Sequence, residues 1–270
     1  MTRRFEGLSA SGVLRADIDG LIRDGCRACV CRVGGWRWTG RLGNRRLPRV
    51  RMIAGDYLMA DVLTLSAPDL AALLCSRVCH DIISPVGAIN NGLELLDEGG
   101  ADEDAMNLIR ASARNASARL QFARIAFGAA GSAGMVIDTG DAEAVATAYL
   151  KNEKPEFSWS GPRALMPKNM VKLLLNMILI ANAAIPRGGK IAVTLETPET
   201  QPKFIISVRG PMLRVPPKFL ELHSGRQPEE ALDAHAIQPY YTLLLAREAG
   251  MVIGIHATPE EIVFTASRPA

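Results

Sequence analysis

The strongest constraint on the fold is a helical periodicity sustained over about 30 residues. From Ser66 onward, apolar side chains recur at Leu70, Leu74, Val78, Ile82, Val86, Ile89, Leu93 and Leu96. Spacings of three and four keep them on one side of an α-helix. Ser66-Ala67-Pro68-Asp69 supplies the start: a Ser cap, a Pro where the first turn tolerates it, and an early acid. Asp97-Glu98-Gly99-Gly100 supplies the stop, since paired glycines end helices. A second helix is expected from about residue 102 to 127, with Met106, Ile109, Ala113, Ala116, Leu120, Ala123 and Phe127 on one side. Two helices joined so tightly form an antiparallel hairpin. One hairpin cannot bury its stripe alone, so we expect a homodimer in which two hairpins complete a four-helix bundle.

Beyond residue 135 the pattern changes. MVIDTG, FSWSG, IAVTLE, FIISVRG, MVIGIHA and EIVFTAS read as strands, and helices are expected at 141–150, 167–185 and 240–249. Period-2 strands interleaved with helices indicate an α+β sandwich with helices on one face of a mixed sheet. The fold class is therefore α plus α+β, with a hairpin at 59–130 followed by a sandwich at 135–270.

Residues 1–58 stand apart. They carry 12 Arg and 5 acids, a net of +7, which leaves the rest of the chain at −4 against an overall +3. The segment reads either as an extension outside the folded body, disordered or not translated with Met59 as the start, or as a basic tail for nucleic acid. We expect the extension, and no direct nucleic-acid binding. Cys26, Cys29 and Cys31 have no histidine or second cysteine pair near them to complete a zinc site. With Cys75 and Cys79 they make five irregularly spaced cysteines, expected as reduced thiols. No continuous apolar run reaches the roughly 18 to 20 residues of a membrane span, and the start lacks the apolar core of a secretory signal. A cytoplasmic protein without membrane contact is expected.

The candidate functional residue is His80. At about 100° per residue it points roughly 170° from the apolar stripe, so the helix displays it to water. Ser76, Ser84, Gly87 and Asn91 share its face and leave room for a partner. Histidine side chains titrate near pH 6.5, so a neutral ring nitrogen is available as a nucleophile toward phosphorus. Asp81 can accept from the other ring nitrogen, orienting and polarising the imidazole. Pro85 frees a carbonyl one turn earlier. His223 and His235 lie in loop-like polar stretches and His256 ends a strand, with no comparable surroundings.

The run His80-Asp81-Ile82-Ile83-Ser84-Pro85-Val86-Gly87-Ala88-Ile89 resembles the H-box of two-component histidine kinases, and the order of elements after residue 135 resembles their GHKL-type ATPase domain. The nucleotide boxes depart from that pattern. Aligning Pro186-Arg187-Gly188-Gly189 with the kinase turn puts Asn176 at the first asparagine of the N-box and Ile180 at the magnesium-binding one. Gly210 stands in place of the adenine-reading aspartate, and Met212 and Arg214 replace glycines. Leu232-Asp233-Ala234-His235-Ala236 holds no Gly-x-Gly before the last helix. A site built on those polar contacts cannot lose them all and still bind ATP well.

An H-box beside eroded nucleotide boxes resembles the ChpT family, dimeric histidine phosphotransferases of alphaproteobacteria, over about residues 59–269. Its most specific stretch here is HDIISPVGAINNGLELLDEGG. The resemblance implies that His80 is phosphorylated by the receiver domain of a CckA-like hybrid kinase. It then passes the group to CtrA- and CpdR-like response regulators, a part in cell-cycle regulation. The receiver brings its own Mg²⁺, so no cofactor or metal is expected on this chain. Ser76, Arg77, Ile83, Ser84, Gly87, Ala88 and Asn91 are the expected receiver-docking residues, together with part of the second helix. Ser84 stands where bifunctional kinases often carry a longer water-orienting Thr or Asn, so weak phosphatase activity is expected. The alternatives are an ATP-dependent sensor kinase with atypical boxes and a non-catalytic scaffold that binds receivers.

Overall fold

The computed structural model describes residues 32–33, 36–37, 65–98, 103–128, 136–196, 201–226 and 232–269. Two compact units divide the chain, Met1–Met52 and Ile53–Ala270. In the first, β1 (Arg32–Val33) and β2 (Trp36–Arg37) form a short antiparallel ladder. The remainder of the expected extension, with Cys26, Cys29, Cys31 and Met59, lies outside the described residues.

The second unit opens with the hairpin. α1 spans Ala67–Asp97. The Ser66 hydroxyl accepts from the backbone N–H of Asp69, a donor otherwise orphaned in the first turn. α2 spans Glu103–Ala126, with Glu103 and Asp104 in its first turn and Arg124 in its last, both favourable to the helix dipole. The glycines expected to end α1 lie outside the described residues.

Of the stripe expected on α1, Leu70, Leu74, Val78, Ile82, Ile89 and Leu96 are half-buried within the single chain, and Val86 and Leu93 are exposed. Only Pro85 and Gly92 are buried on this helix. A Cβ at Gly92 would stand 2.6 Å from Ile109 Cγ1 and 3.3 Å from the Ala105 carbonyl, so the two helices meet closely at this point. Leu70, Leu73 and Leu74 pack against the sandwich core. Val86 and Leu93 stay 41% and 47% exposed, and Ile83 is 71% exposed. Among the described residues α1 is one helix long and apolar enough, by length and composition, to cross a membrane. Its few charges interrupt the continuous run without greatly lowering the average.

The sandwich begins with β3 (Val136–Asp138), α3 (Thr139–Leu150), β4 (Glu156–Ser160), β5 (Leu165–Pro167) and α4 (Lys168–Ala183). It continues through β6 (Lys190–Glu196), β7 (Lys203–Arg209), α5 (Pro217–His223), α6 (Ile237–Ala249), β8 (Val252–Ala257) and β9 (Ile262–Ser267). The main sheet runs β4-β6-β7-β9-β8, with β4 and β6 parallel and the other pairs antiparallel. β3 and β5 make a separate antiparallel ladder.

Strand alternation sets the buried face: Ile191, Val193 and Leu195, then Phe204, Ile206 and Val208, then Ile262, Phe264 and Ala266. Most of α4 is buried against this face and against α6. Phe122, Ile125 and Ala126 at the end of α2 belong to the same core. The hairpin and sandwich thus share one apolar interior, and the expected order of a helical hairpin followed by an α/β sheet domain is what the chain forms.

Neither α5 nor β5 was expected. α5 is two turns long and β5 three residues ending in Pro167, too short to show a period. α5 also corrects the reading of His223, which is buried at its end. Its Nε2 lies 2.8 Å from the Ile253 carbonyl, while Nδ1 is buried without a partner.

Candidate phosphotransfer site

His80 lies midway along α1 with its side chain 60% exposed. Asp81 Oδ1 stands 3.7 Å from His80 Nδ1, a charge contact beyond hydrogen-bond length. The hydrogen bond of that carboxylate goes one turn back, where Arg77 Nε donates to Oδ2 at 3.0 Å. Arg77, expected on the docking face, is therefore half-buried and engaged by Asp81.

Beside His80 a cleft of about 290 Å³ opens between the helices. His80, Asp81, Ser84, Pro85 and Ala88 line it from α1; Ser112, Asn115 and Arg119 line it from α2. Arg119 Nε donates to Asn115 Oδ1 at 3.0 Å, and its Nη2 donates to Glu153 Oε1 at 2.6 Å. Its guanidinium carbon lies 5.3 Å from the centre of the Tyr149 ring, a cation–π contact. Burial pushes the Tyr149 hydroxyl up to about 12, against the opposing pull of the Arg119 charge. The sandwich thereby fixes one wall of the cleft.

The other expected docking residues fall as follows. Ser76, Ile83, Ser84 and Asn91 are exposed, and Ala88 is half-buried in the cleft. At Gly87 an added Cβ would meet nothing within 4 Å. Cys75 and Cys79 are exposed free thiols on the same helix.

The sequence places part of the second helix on the docking surface without singling out its residues, and it gives no sign of His235. Ser112, Asn115 and Arg119 follow a polar i, i+3, i+7 line on α2 that could have been found by reading the second helix for a polar face. His235 carried no local signal. Its ring sits 5.0 Å from that of His80, at 78°, an edge-to-face pair. His235 lies in a turn as expected, but the ring of His80 beside it corrects the expectation that its surroundings are unremarkable.

The positions aligned with kinase nucleotide boxes are filled from within. Ile180 is 2% exposed in the core. Asn176 is fully buried, with its amide donating to the carbonyls of Ala126 (3.1 Å) and Lys172 (2.9 Å). Gln238 Nε2 donates to the Asn176 carbonyl at 2.9 Å. At Gly210 a Cβ would stand 2.6 Å from the Gly188 carbonyl, so the loop as folded has no room for a side chain there. Among the described residues no group of three or more His, Cys, Asp or Glu comes together that could hold a metal ion.

A phosphotransferase of Brucella abortus (strain 2308), the protein phosphotransferase ChpT, is 76% identical over 204 residues, covering 76% of this chain and 98% of its own. This chain belongs to the ChpT family of protein phosphotransferases. The model of the histidine phosphotransferase C-terminal domain matches residues 139–261, from the start of α3 to the turn before β9. A solved bacterial phosphotransferase is 74% identical and superposes with a TM-score of 0.73, covering 76% of this chain and 98% of that one. The histidine kinase AdeS of Acinetobacter baumannii aligns at a TM-score of 0.37 and 11% identity, over 70% of this chain and 96% of its own. The ChpT-family assignment makes this protein a histidine phosphotransferase and implies receiver domains as its partners.

Proposed function

We propose that His80 is the phosphoacceptor of a phosphorelay, charged by the receiver aspartate of a CckA-like hybrid kinase and discharged to CtrA- and CpdR-like response regulators. The observation that carries this reading is the setting of His80: an exposed imidazole on a rigid helix, above a polar cleft, with Asp81 next to one ring nitrogen. In the transfer, the lone pair of the ring nitrogen away from Asp81 attacks phosphorus. The bond from phosphorus to the aspartyl oxygen breaks, and the carboxylate leaves with its electron pair. Positive charge developing on the ring is met at Nδ1 by Asp81, whose geometry is kept by Arg77. The chain contributes positioning, and the incoming receiver contributes Mg²⁺.

ATP does not enter this scheme. Asn176 spends its side-chain amide on Ala126 and Lys172, Ile180 offers no polar atom, and Gly210 leaves no room for a carboxylate. Ser76, Ile83, Ser84, Gly87, Ala88 and Asn91 form the docking face, with exposed apolar Ile83 among polar neighbours as suits a transient interface. The working form is a cytoplasmic homodimer in which the exposed Val86 and Leu93 of each α1 are covered by the partner copy.

The test is phosphoryl transfer from a labelled receiver donor to the wild type and to His80→Ala, beside incubation of each with Mg²⁺ and ATP alone. Label from the receiver in the wild type only is the expected result. Label retained by His80→Ala would falsify the assignment of His80, and label taken from ATP alone would establish a kinase.

A further inference from the structure

The stretch that carries His235 occupies the place of a kinase's nucleotide-cradling loop, and here it is tied down. The Asp233 carboxylate accepts from the backbone N–H groups of His235 (3.0 Å) and Ala236 (2.7 Å). These bonds, that of Ala236 foremost, hold its pKa below the ordinary carboxylate value. At the second residue of α6, the buried Gln238 bonds to Asn176 of α4. The Tyr240 hydroxyl accepts from the backbone N–H of Leu65, just before the cap of α1, at 3.0 Å. The helix that follows the His235 turn therefore also holds the entrance of the helix that presents His80.

The two rings meet edge to face on one flank of His80, Asp81 stands by Nδ1, and the rest of the ring is open. We propose that His235 is a positioning residue for phosphoryl transfer, bracing the His80 imidazole in the rotamer whose open flank meets an incoming aspartyl phosphate. The inference rests on the reading of His80 as phosphoacceptor. An exposed histidine otherwise spreads over several staggered wells, and only some of them aim a ring nitrogen in line with phosphorus. The contact acts through ring packing, so an uncharged aromatic ring can replace it. It acts after docking, because it biases the acceptor's own rotamer.

The experiment measures transfer from a phosphorylated receiver to the full chain, over a range of receiver concentrations, for wild type, His235→Ala, His235→Phe, His235→Gln and His80→Ala. His235→Ala is expected to lower the maximal transfer rate roughly 2- to 10-fold, the worth of one such aromatic pair, with the half-saturating receiver concentration unchanged. His235→Phe is expected to restore most of the rate and His235→Gln little of it. A His235→Ala rate equal to wild type overturns the proposal. So does rescue by Gln without rescue by Phe, which assigns the effect to hydrogen bonding, or a change confined to half-saturation, which assigns it to docking. Absence of label on wild type, or label retained by His80→Ala, overturns the reading of His80 and this proposal with it.

Discussion

The side-chain amide of Asn176 donates to the carbonyl of Ala126, the last residue of α2, at 3.1 Å. A residue that aligns with the first asparagine of the kinase N-box is here a strut between hairpin and sandwich. It lies fully buried, and Gln238 bonds to the same residue from α6. Buried polar groups left unpaired cost more than the bonds they lose. Asn176→Ala is expected to destabilise the fold by about 2 to 4 kcal/mol, read as a lower urea midpoint. A loss under about 1 kcal/mol would mean that the strut contributes little.

Two glycines on α1 separate packing from docking. Gly92 faces Ile109 at 2.6 Å from where its Cβ would stand, so Gly92→Ala forces the helices apart and is expected to cost about 1 to 3 kcal/mol. Gly87 faces open space, so Gly87→Ala is expected to hold or raise stability by up to about 1 kcal/mol through helix propensity. Thermal melts of both variants check the contrast. A bulkier Gly87→Leu, whose Cβ meets nothing within 4 Å, is expected to raise the half-saturating receiver concentration without lowering the melting temperature.

How much of this was legible in sequence depends on range. The cap at Ser66, the two helices of the hairpin and the alternating strands rest on neighbours within a few residues, and the structure repeats them. Periodicity marks the large apolar residues of α1 but not the close contact with α2 at Gly92, since a glycine adds nothing to an apolar pattern. His235 is 155 positions from His80, and Asn176 is 62 from Gln238. Nothing local marks either meeting, since each follows from how the sandwich packs on the hairpin.

Tyr149 gives the fold an alkaline limit. Burial against Phe122 raises its hydroxyl to about 12, above the ordinary value of 10. A group whose pKa is raised on folding contributes stability in full below the unfolded value, and the contribution fades as pH rises through the folded one. Stability is therefore expected to fall between about pH 10 and 12, by roughly 2 to 3 kcal/mol from this residue. Tyr149→Phe is expected to flatten that fall. Denaturant midpoints across the range check it, and tyrosinate absorbance identifies the late-titrating phenol.

The exposed apolar face of α1 must be covered by something, and the two candidates separate cleanly. Val86 and Leu93, one heptad apart on α1, are each about half-exposed. If a second copy covers them, a dimer buries four such side chains, at about 1 kcal/mol each given their partial cover in the single chain. Val86→Glu with Leu93→Glu is then expected to weaken the dimer by roughly a thousand-fold, seen by sedimentation as conversion to monomer. Lipid is the other possible cover, because α1 is also long and apolar enough to cross a membrane. Flotation with phospholipid vesicles tests that arm, and the wild type is expected to stay with the protein fraction. Arg77 and Asp81, paired halfway into the helix, would otherwise have to enter hydrocarbon at a cost that a bundle of two hairpins does not incur.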